Sequence, residues 1–227
     1  MTRHAIVQDV FAGQPKAITD KYGTWTSSIF RDRVDGQIQV SLRGLAGDKV
    51  AQPYHGSPGA AVCVHLADHY RFWNAAYGMD LQAGSVGENV TLARLTEDQV
   101  CVGDIVRLGT VLVQVSGPRV PCANQGRRIG RSDWVKLTIL ENRTGFYLRV
   151  LEPGVLQACD PWTVEQRINE AGSIPAINRC MYLHFDPGFA REMLAMQGLA
   201  AWWKDQAREK LEGRRAHWTS AMKDGGD

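Results

Sequence analysis

Residues 100–122 read Val100-Cys101-Val102-Gly103-Asp104-Ile105-Val106-Arg107-Leu108-Gly109-Thr110-Val111-Leu112-Val113-Gln114-Val115-Ser116-Gly117-Pro118-Arg119-Val120-Pro121-Cys122. Two apolar runs flank Gly109-Thr110, which predicts a hairpin of partly buried strands. The second run alternates up to Ser116, so Cys122 falls in the loop beyond the strand end. Gly117, Pro118 and Pro121 fix the shape of that loop. Rigid loops at strand ends are common places for reactive groups. Arg119 stands three residues before the thiol, and a nearby guanidinium favours thiolate. The same residues also suit a turn that buries a cysteine.

Working outward, further strand-like segments appear. Ile38-Gln39-Val40-Ser41-Leu42 alternates, and Ala60 to Leu66 is a compact apolar run. Phe146 to Leu151, the turn Glu152-Pro153-Gly154, and Val155 to Ala158 read as a second hairpin. Helices are expected over Ala67–Tyr77, closed by Gly78, and over Trp134–Asn142, entered from Ser132-Asp133. Strands with short intervening helices point to an α+β fold whose sheet closes toward a barrel. The character changes near residue 163. Thr163-Val164-Glu165-Gln166 fits a capping box that opens a helix. Asp186-Pro187 opens a second helix ending at Gly198, and Leu199, Trp203, Ala207 and Leu211 mark a third. The expected organisation is a barrel-like domain over 1–162, a small three-helix appendage over 163–212 and a polar tail over 213–227.

Composition bounds the function. Of 227 residues, 44% are hydrophobic and 22% charged, which matches a folded domain and not a disordered chain. The net charge of +2 is too small for wholesale binding to a nucleic-acid polymer or a membrane surface. No apolar run approaches the roughly 20 residues of a membrane helix. Met1 to Asp9 meets a polar break before a signal-peptide core builds. Five widely spaced cysteines without a CxxC argue against a disulfide framework or zinc knuckle. A reducing, cytoplasmic location is the expectation. Cys63 and Cys101 read as small core groups.

Three other stretches carry polar chemistry. Gly44-Leu45-Ala46-Gly47-Asp48 and Tyr54-His55-Gly56-Ser57-Pro58-Gly59 form a glycine-punctuated loop whose amides suit an anion. Gly84 to Thr91 contains Gly87-Glu88-Asn89, a tight turn bearing an amide that donates and accepts. Ser27 to Arg33 offers two hydroxyls and two arginines for a phosphate. Each also reads as an ordinary loop, turn or strand edge. Arg127, Arg128 and Arg131 form a small basic cluster suited to a nucleotide patch or to steering an acidic partner. GxGxxG, P-loop, GxSxG and HExxH motifs are all absent from the sequence.

In this order, Gly47-Asp48, His55-Gly56, VCVHLADHYRFW (62–73), Gly87-Glu88-Asn89, Gly103-Asp104, VQVSGPRVPC (113–122) and GFYLRV (145–150) resemble the MOSC family. The family takes its name from the C-terminal domain of molybdenum-cofactor sulfurase. Its YiiM-like branch also carries a three-helix C-terminal appendage. The resemblance covers roughly residues 6–211. It implies a β-barrel-like MOSC core and a molybdenum cofactor of the molybdopterin type, its metal ligated by one cysteine, here Cys122. It implies reduction of N-hydroxylated compounds such as hydroxylamine-type base analogues or amidoximes. By motif position the cofactor would be held by His55, Gly56, Asn89, Ser116 and Arg119. Ser28 and Arg31 sit where relatives show a hydroxyl or glycine and a basic residue. Relatives commonly have His-Gly-Gly where this chain has His55-Gly56-Ser57. Soft thiolate suits molybdenum held by a pterin dithiolene. No cysteine pattern for an iron–sulfur cluster and no Rossmann fingerprint is present, so an external flavin or iron–sulfur electron donor is implied. A non-catalytic molybdopterin carrier, a persulfide carrier on Cys122 and a phosphate-ester or pyridoxal-phosphate binder remain as alternatives.

Overall fold

The computed structural model describes residues 4–21, 23–51 and 57–214. An eight-stranded sheet forms the body, in the order β13-β9-β10-β11-β7-β8-β1-β4. Its members are β1 (Ile6–Ala12), β4 (Asp32–Arg33), β7 (Val62–Leu66), β8 (Val90–Ala93), β9 (Ile105–Leu108), β10 (Val111–Pro118), β11 (Phe146–Glu152) and β13 (Trp162–Gln166). Neighbours are antiparallel except β7 and β8, which run parallel across the crossover helix α1 (Ala67–Tyr77). The sheet curls until its two ends approach. Trp162 N–H donates to the Ala5 carbonyl, Val7 N–H to the Asp160 carbonyl, and Ile6 bridges Pro161. The result is a half-barrel filled by Val7, Val64, Leu66, Leu92, Val113, Val115, Phe146 and Leu148.

The hairpin β9–β10 forms as its alternation predicts, with Val111, Val113 and Val115 inside. Val100–Val102 lies outside β9; Cys101 makes only an isolated bridge to Ser173. The register of β10 against β11 shifts between Val115 and Gly117. Gly117 has φ +146°, and a Cβ there would stand 2.6 Å from Trp203 Cδ1. The strand does not end at Ser116 as the alternation suggested: Pro118 still pairs with Phe146 and Arg119 N–H reaches the Gly145 carbonyl, and the loop to Cys122 begins only there.

The second expected hairpin is not formed. Both edges of β11 are occupied, by β10 and β7, so β12 (Gly154–Leu156) pairs instead with β5 (Ile38–Ser41), which also pairs β6 (Gly44–Leu45). A separate hairpin joins β2 (Lys16–Asp20) to β3 (Gly23–Ser27). The helix expected to open at Thr163 is also corrected. Residues 162–166 are β13, which completes the edge of β9, with Arg107 bound to Glu165 at 2.9 Å. Tertiary pairing overrides a local cap signal here.

Three helical segments do follow. These are α4 (Ile174–Asn178) with a π turn over Arg179–Leu183, α5 (Pro187–Ala195), capped by Asp186, and α6 (Ala201–Leu211). Ile174, Ile177, Met181, Met193 and Trp203 join the same apolar core as the barrel strands. Among the described residues no helix is long and apolar enough to cross a membrane.

Candidate functional site

The loop after β10 runs into α2 (Ala123–Ile129), a helix absent from the sequence reading. Cys122 is its N-cap and is half-buried. Gln125 accepts from the Cys122 N–H at 3.1 Å, and Gly130 closes the helix in the left-handed region. A glutamine three residues after the cap and a glycine stop are signals that point to this helix. Tryptophan-led α3 (Trp134–Leu140) follows, shorter than expected.

Arg119 is buried behind Cys122. Its backbone N–H donates to the Gly145 carbonyl, and its Nη2 donates to the Val86 carbonyl at 2.7 Å. Burial opposes its charge, yet the acidic groups Cys63, Tyr147, Cys122 and Glu88 around it hold it cationic with a raised pKa. Burial pushes the Cys63 thiol up, against the pull of Arg119 and Arg31. The Tyr147 phenol is likewise raised by burial. Cys63, read from sequence as a core thiol, thus stands within the electrostatic reach of Arg119, Arg31 and Cys122.

Arg31 and its neighbours form a closed hydrogen-bond lattice. Arg31 grips Asp48 through Nε at 2.7 Å and Nη2 at 2.9 Å, and donates from Nη1 to the Gly87 carbonyl at 2.6 Å. Asn89 donates to Asp48 at 3.0 Å and accepts from the Cys63 N–H at 3.0 Å. Gly13 N–H adds a further bond to Asp48 at 2.9 Å. Ser116 Oγ donates into the Gly59 and Tyr147 carbonyls. Gly87, at φ +70°, lets Ile29 press close: a Cβ there would stand 2.4 Å from Ile29 Cγ1. This brings Ser28 against the Gly87–Asn89 turn.

In this region are buried polar atoms with no partner among the described residues. They are Ser28 Oγ, Glu88 Oε2, Arg119 Nη1 and Arg128 Nη1. Glu88 Oε1 is fully engaged, by Tyr70 Oη at 2.6 Å, Thr91 Oγ1 at 2.7 Å and Gly84 N–H at 2.7 Å. Arg128 stacks 4.9 Å from the Phe30 ring centroid, and burial lowers its pKa. It senses Glu88, Arg31 and Arg119, which places it in the same cluster. The sequence reading had no place for Tyr147 here, took Cys63 as a core group, and noted Glu88 only within the Gly87-Glu88-Asn89 turn and Arg128 only within the basic cluster.

The structure brings Ser28, Arg31, Asn89, Ser116, Arg119 and Cys122 into one region. His55 and Gly56 lie outside the described residues. The expected basic rim is corrected. Arg127 is bound to Asp20 at 2.7 Å over the Trp25 ring, Arg131 to Asp133 at 2.7 Å, and Arg128 turns inward. Carboxylates neutralise two of the three charges, so little field is left for a partner. Among the described residues no group of three or more His, Cys, Asp or Glu side chains suits a metal ion. A site built on one thiolate and a ligand's own sulfurs requires no such group. Three unpaired donors and one unpaired acceptor, beside a half-buried thiol, fit an anionic ligand that also carries N–H groups.

The MOSC domain model matches residues 51–163. The crystal structure of YiiM from Geobacillus stearothermophilus superposes with a TM-score of 0.78 at 31% identity, over 91% of this chain and 99% of that one. This chain belongs to the MOSC domain family. Its sequence is 40% identical to YflK of Bacillus subtilis (strain 168) over 154 residues, 68% of this chain and 65% of that protein, just under two thirds of its length. It is 29% identical to YiiM of Escherichia coli (strain K12) over 91% of this chain and 93% of that one. A protein of Gibberella moniliformis named a reductase is 33% identical over 69% of this chain and 29% of its own length.

Proposed function

We propose that this MOSC protein is a cytoplasmic reductase of N-hydroxylated compounds, hydroxylamine-type base analogues or amidoximes, that works with a molybdopterin-type cofactor. The observation that carries the reading is the meeting of Cys122 with the unpaired set Ser28, Glu88, Arg119 and Arg128. When bound, the cofactor supplies a metal that accepts oxygen and passes electrons. Cys122 is its single protein ligand, presented by a loop that two prolines and the Gly117 bulge hold in place. Arg119 and Arg128 bind the anionic part, and Ser28 adds a hydroxyl donor. Glu88 Oε2 accepts from ring N–H groups. Arg31, Asp48, Asn89 and Ser116 hold these groups in position. Electrons come from an external flavin or iron–sulfur protein. The reductase name of the Gibberella relative is in keeping with this assignment.

The test is metal and pterin analysis of protein made in a host competent for molybdopterin synthesis, then turnover of benzamidoxime with reduced methyl viologen. About one molybdenum per chain and steady benzamidine formation are expected. Cys122→Ala should drop bound molybdenum to background while circular dichroism and melting stay unchanged, because a half-buried loop thiol adds little to the core. Retained cofactor without turnover would select a carrier instead, and a metal-replete C122A protein would remove the ligand assignment.

A further inference from the structure

The wall that carries Cys63 continues into a buried polar file that the functional reading leaves unused. His65 follows Cys63 by two residues on β7, so both side chains leave the same face of the strand. His69, in the first turns of α1, meets it edge-to-face with ring centroids 4.8 Å apart. His69 Nε2 lies 3.8 Å from Glu97 Oε1, on the single helical turn Glu97–Gln99. Glu97 Oε1 accepts from the Gly145 N–H at 2.5 Å. All three side chains are buried. Among the described residues Nδ1 of His69 and Oε2 of Glu97 make no hydrogen bond, and the backbone of Thr144 is the hydrogen-bond neighbour of the His65 ring. Buried polar atoms are nearly always satisfied, so these under-used groups on adjoining side chains call for a role.

We propose that Glu97, His69 and His65 form a proton-delivery file that leads toward Arg119 and the candidate site during N–OH reduction. The proposal rests on the reductase reading. Reduction of R–NH–OH takes two electrons from the external flavin or iron–sulfur donor and two protons. The N–O bond breaks, one N–H and one O–H bond form, and the products are R–NH2 and water. A neutral imidazole takes a proton on one nitrogen and releases one from the other. Burial, followed by the Arg119 charge, lowers His65 to about 3. Burial, then His65 and Arg143, holds His69 well below its ordinary value. Both rings therefore stay neutral and carry protons without trapping them. Burial raises Glu97 to about 8, against the pull of the Gly145 and Thr144 amides and Arg143. Its carboxyl thus holds a proton at neutral pH and releases it readily.

The surrounding groups leave the file intact. Asp98 faces Glu97, and Asp68 faces His69. Tyr70 packs on His65 at 4.9 Å, its hydroxyl committed to Glu88. From α4 the contact is Asn178, whose amide donates to Thr144 Oγ1 at 2.8 Å and does not titrate. The 3.8 Å gap between His69 and Glu97 exceeds a hydrogen bond, and gaps of this kind tighten when a site is filled.

The test has two arms. In cofactor-free protein, carbon-13 and nitrogen-15 NMR follow the Glu97 carboxyl and both imidazoles from pH 5 to 10. A shared transition centred near pH 8 is expected, and imidazoles silent to the Glu97 titration overturn the file. In cofactor-loaded protein, Glu97→Gln keeps the shape and the Gly145 acceptor but lacks the acidic proton. Limiting turnover of benzamidoxime at pH 7 should fall about tenfold, with KM within twofold and the alkaline limb of the pH profile gone. A wild-type profile in E97Q overturns the file alone. Loaded wild-type protein that leaves benzamidoxime unreduced overturns the reductase reading, and the file with it.

Discussion

Two arginines belong to the same cluster and live differently. Arg31 spends its guanidinium on Asp48 and the Gly87 carbonyl, and Asp48 is further bound by Asn89 and Gly13. Among the described residues Arg119 has no carboxylate in an ion pair; it bonds the Val86 carbonyl and the Tyr147 phenol and keeps an unpaired Nη1. A cation whose hydrogen bonds are complete is part of the frame. A buried cation with capacity left over is available to a ligand. Residue type alone does not separate the two, and the division predicts opposite outcomes when each is removed.

The largest effect should come from Arg31→Ala. It strands the Asp48 carboxylate, only 10% exposed, without its cation. Breaking a buried pair on one side costs about 3–5 kcal/mol. Urea unfolding should show a lower midpoint of that order, with cofactor lost only as a consequence of unfolding. A variant as stable as the parent would show that Arg31 is not framework.

Arg119→Met should do the reverse. Its charge lacks a compensating carboxylate, so an isosteric apolar chain should change stability by about 1 kcal/mol or less. Cofactor retention should fall about tenfold to a hundredfold, as when a charge-assisted bond to an anion is lost. Pterin content after gel filtration reads this directly. Unfolding together with unchanged pterin content would move Arg119 to the framework side.

Much of this architecture was legible in the sequence, and the limits have physical causes. Alternation through Val111–Val115, then glycine and prolines, announced a strand end presenting Cys122. The spacing of Leu199, Trp203 and Ala207 announced α6, whose Trp203 seals Gly117. Trp162–Gln166 misled because its cap-like residues are local, while its partner strand lies about 58 residues earlier, as the Arg107–Glu165 pair shows. Asn89 was read as a ligand-binding amide, and in the fold that amide serves Cys63 and Asp48. Arg128 was read as rim because its direction depends on α2, which aims it over Phe30 and inward. Glu97 and His69 carry no shared periodicity at all. Only the packing of the Glu97 turn against α1 makes them neighbours.

The third effect is a matter of pH, and it contrasts the arginine cluster with the file beside it. Glu97 is raised in the fold from an ordinary 4.5 to about 8, so the folded state binds its proton more tightly than the unfolded chain. Stability from this residue is whole below about pH 4.5, falls as pH rises, and levels off above about 8. His65 acts in the other sense. Its folded value near 3 lies below the ordinary 6.5, so stability is lost as pH falls through that window, and His69 adds to the same side. Between 4.5 and 6.5 the two imidazoles outweigh the one carboxyl, which places the maximum near pH 6.5. From there to pH 8 Glu97 acts alone, and the loss amounts to about 2 kcal/mol at 1.36 kcal/mol per pH unit. Glu97→Gln should erase this alkaline limb and keep the acid one, while R31A should lower the whole curve. Denaturant midpoints between pH 4 and 9 distinguish these shapes. An alkaline limb that survives in E97Q would mean that Glu97 ionises in the fold much as it does in water, and the buried acid would then have no proton to hold.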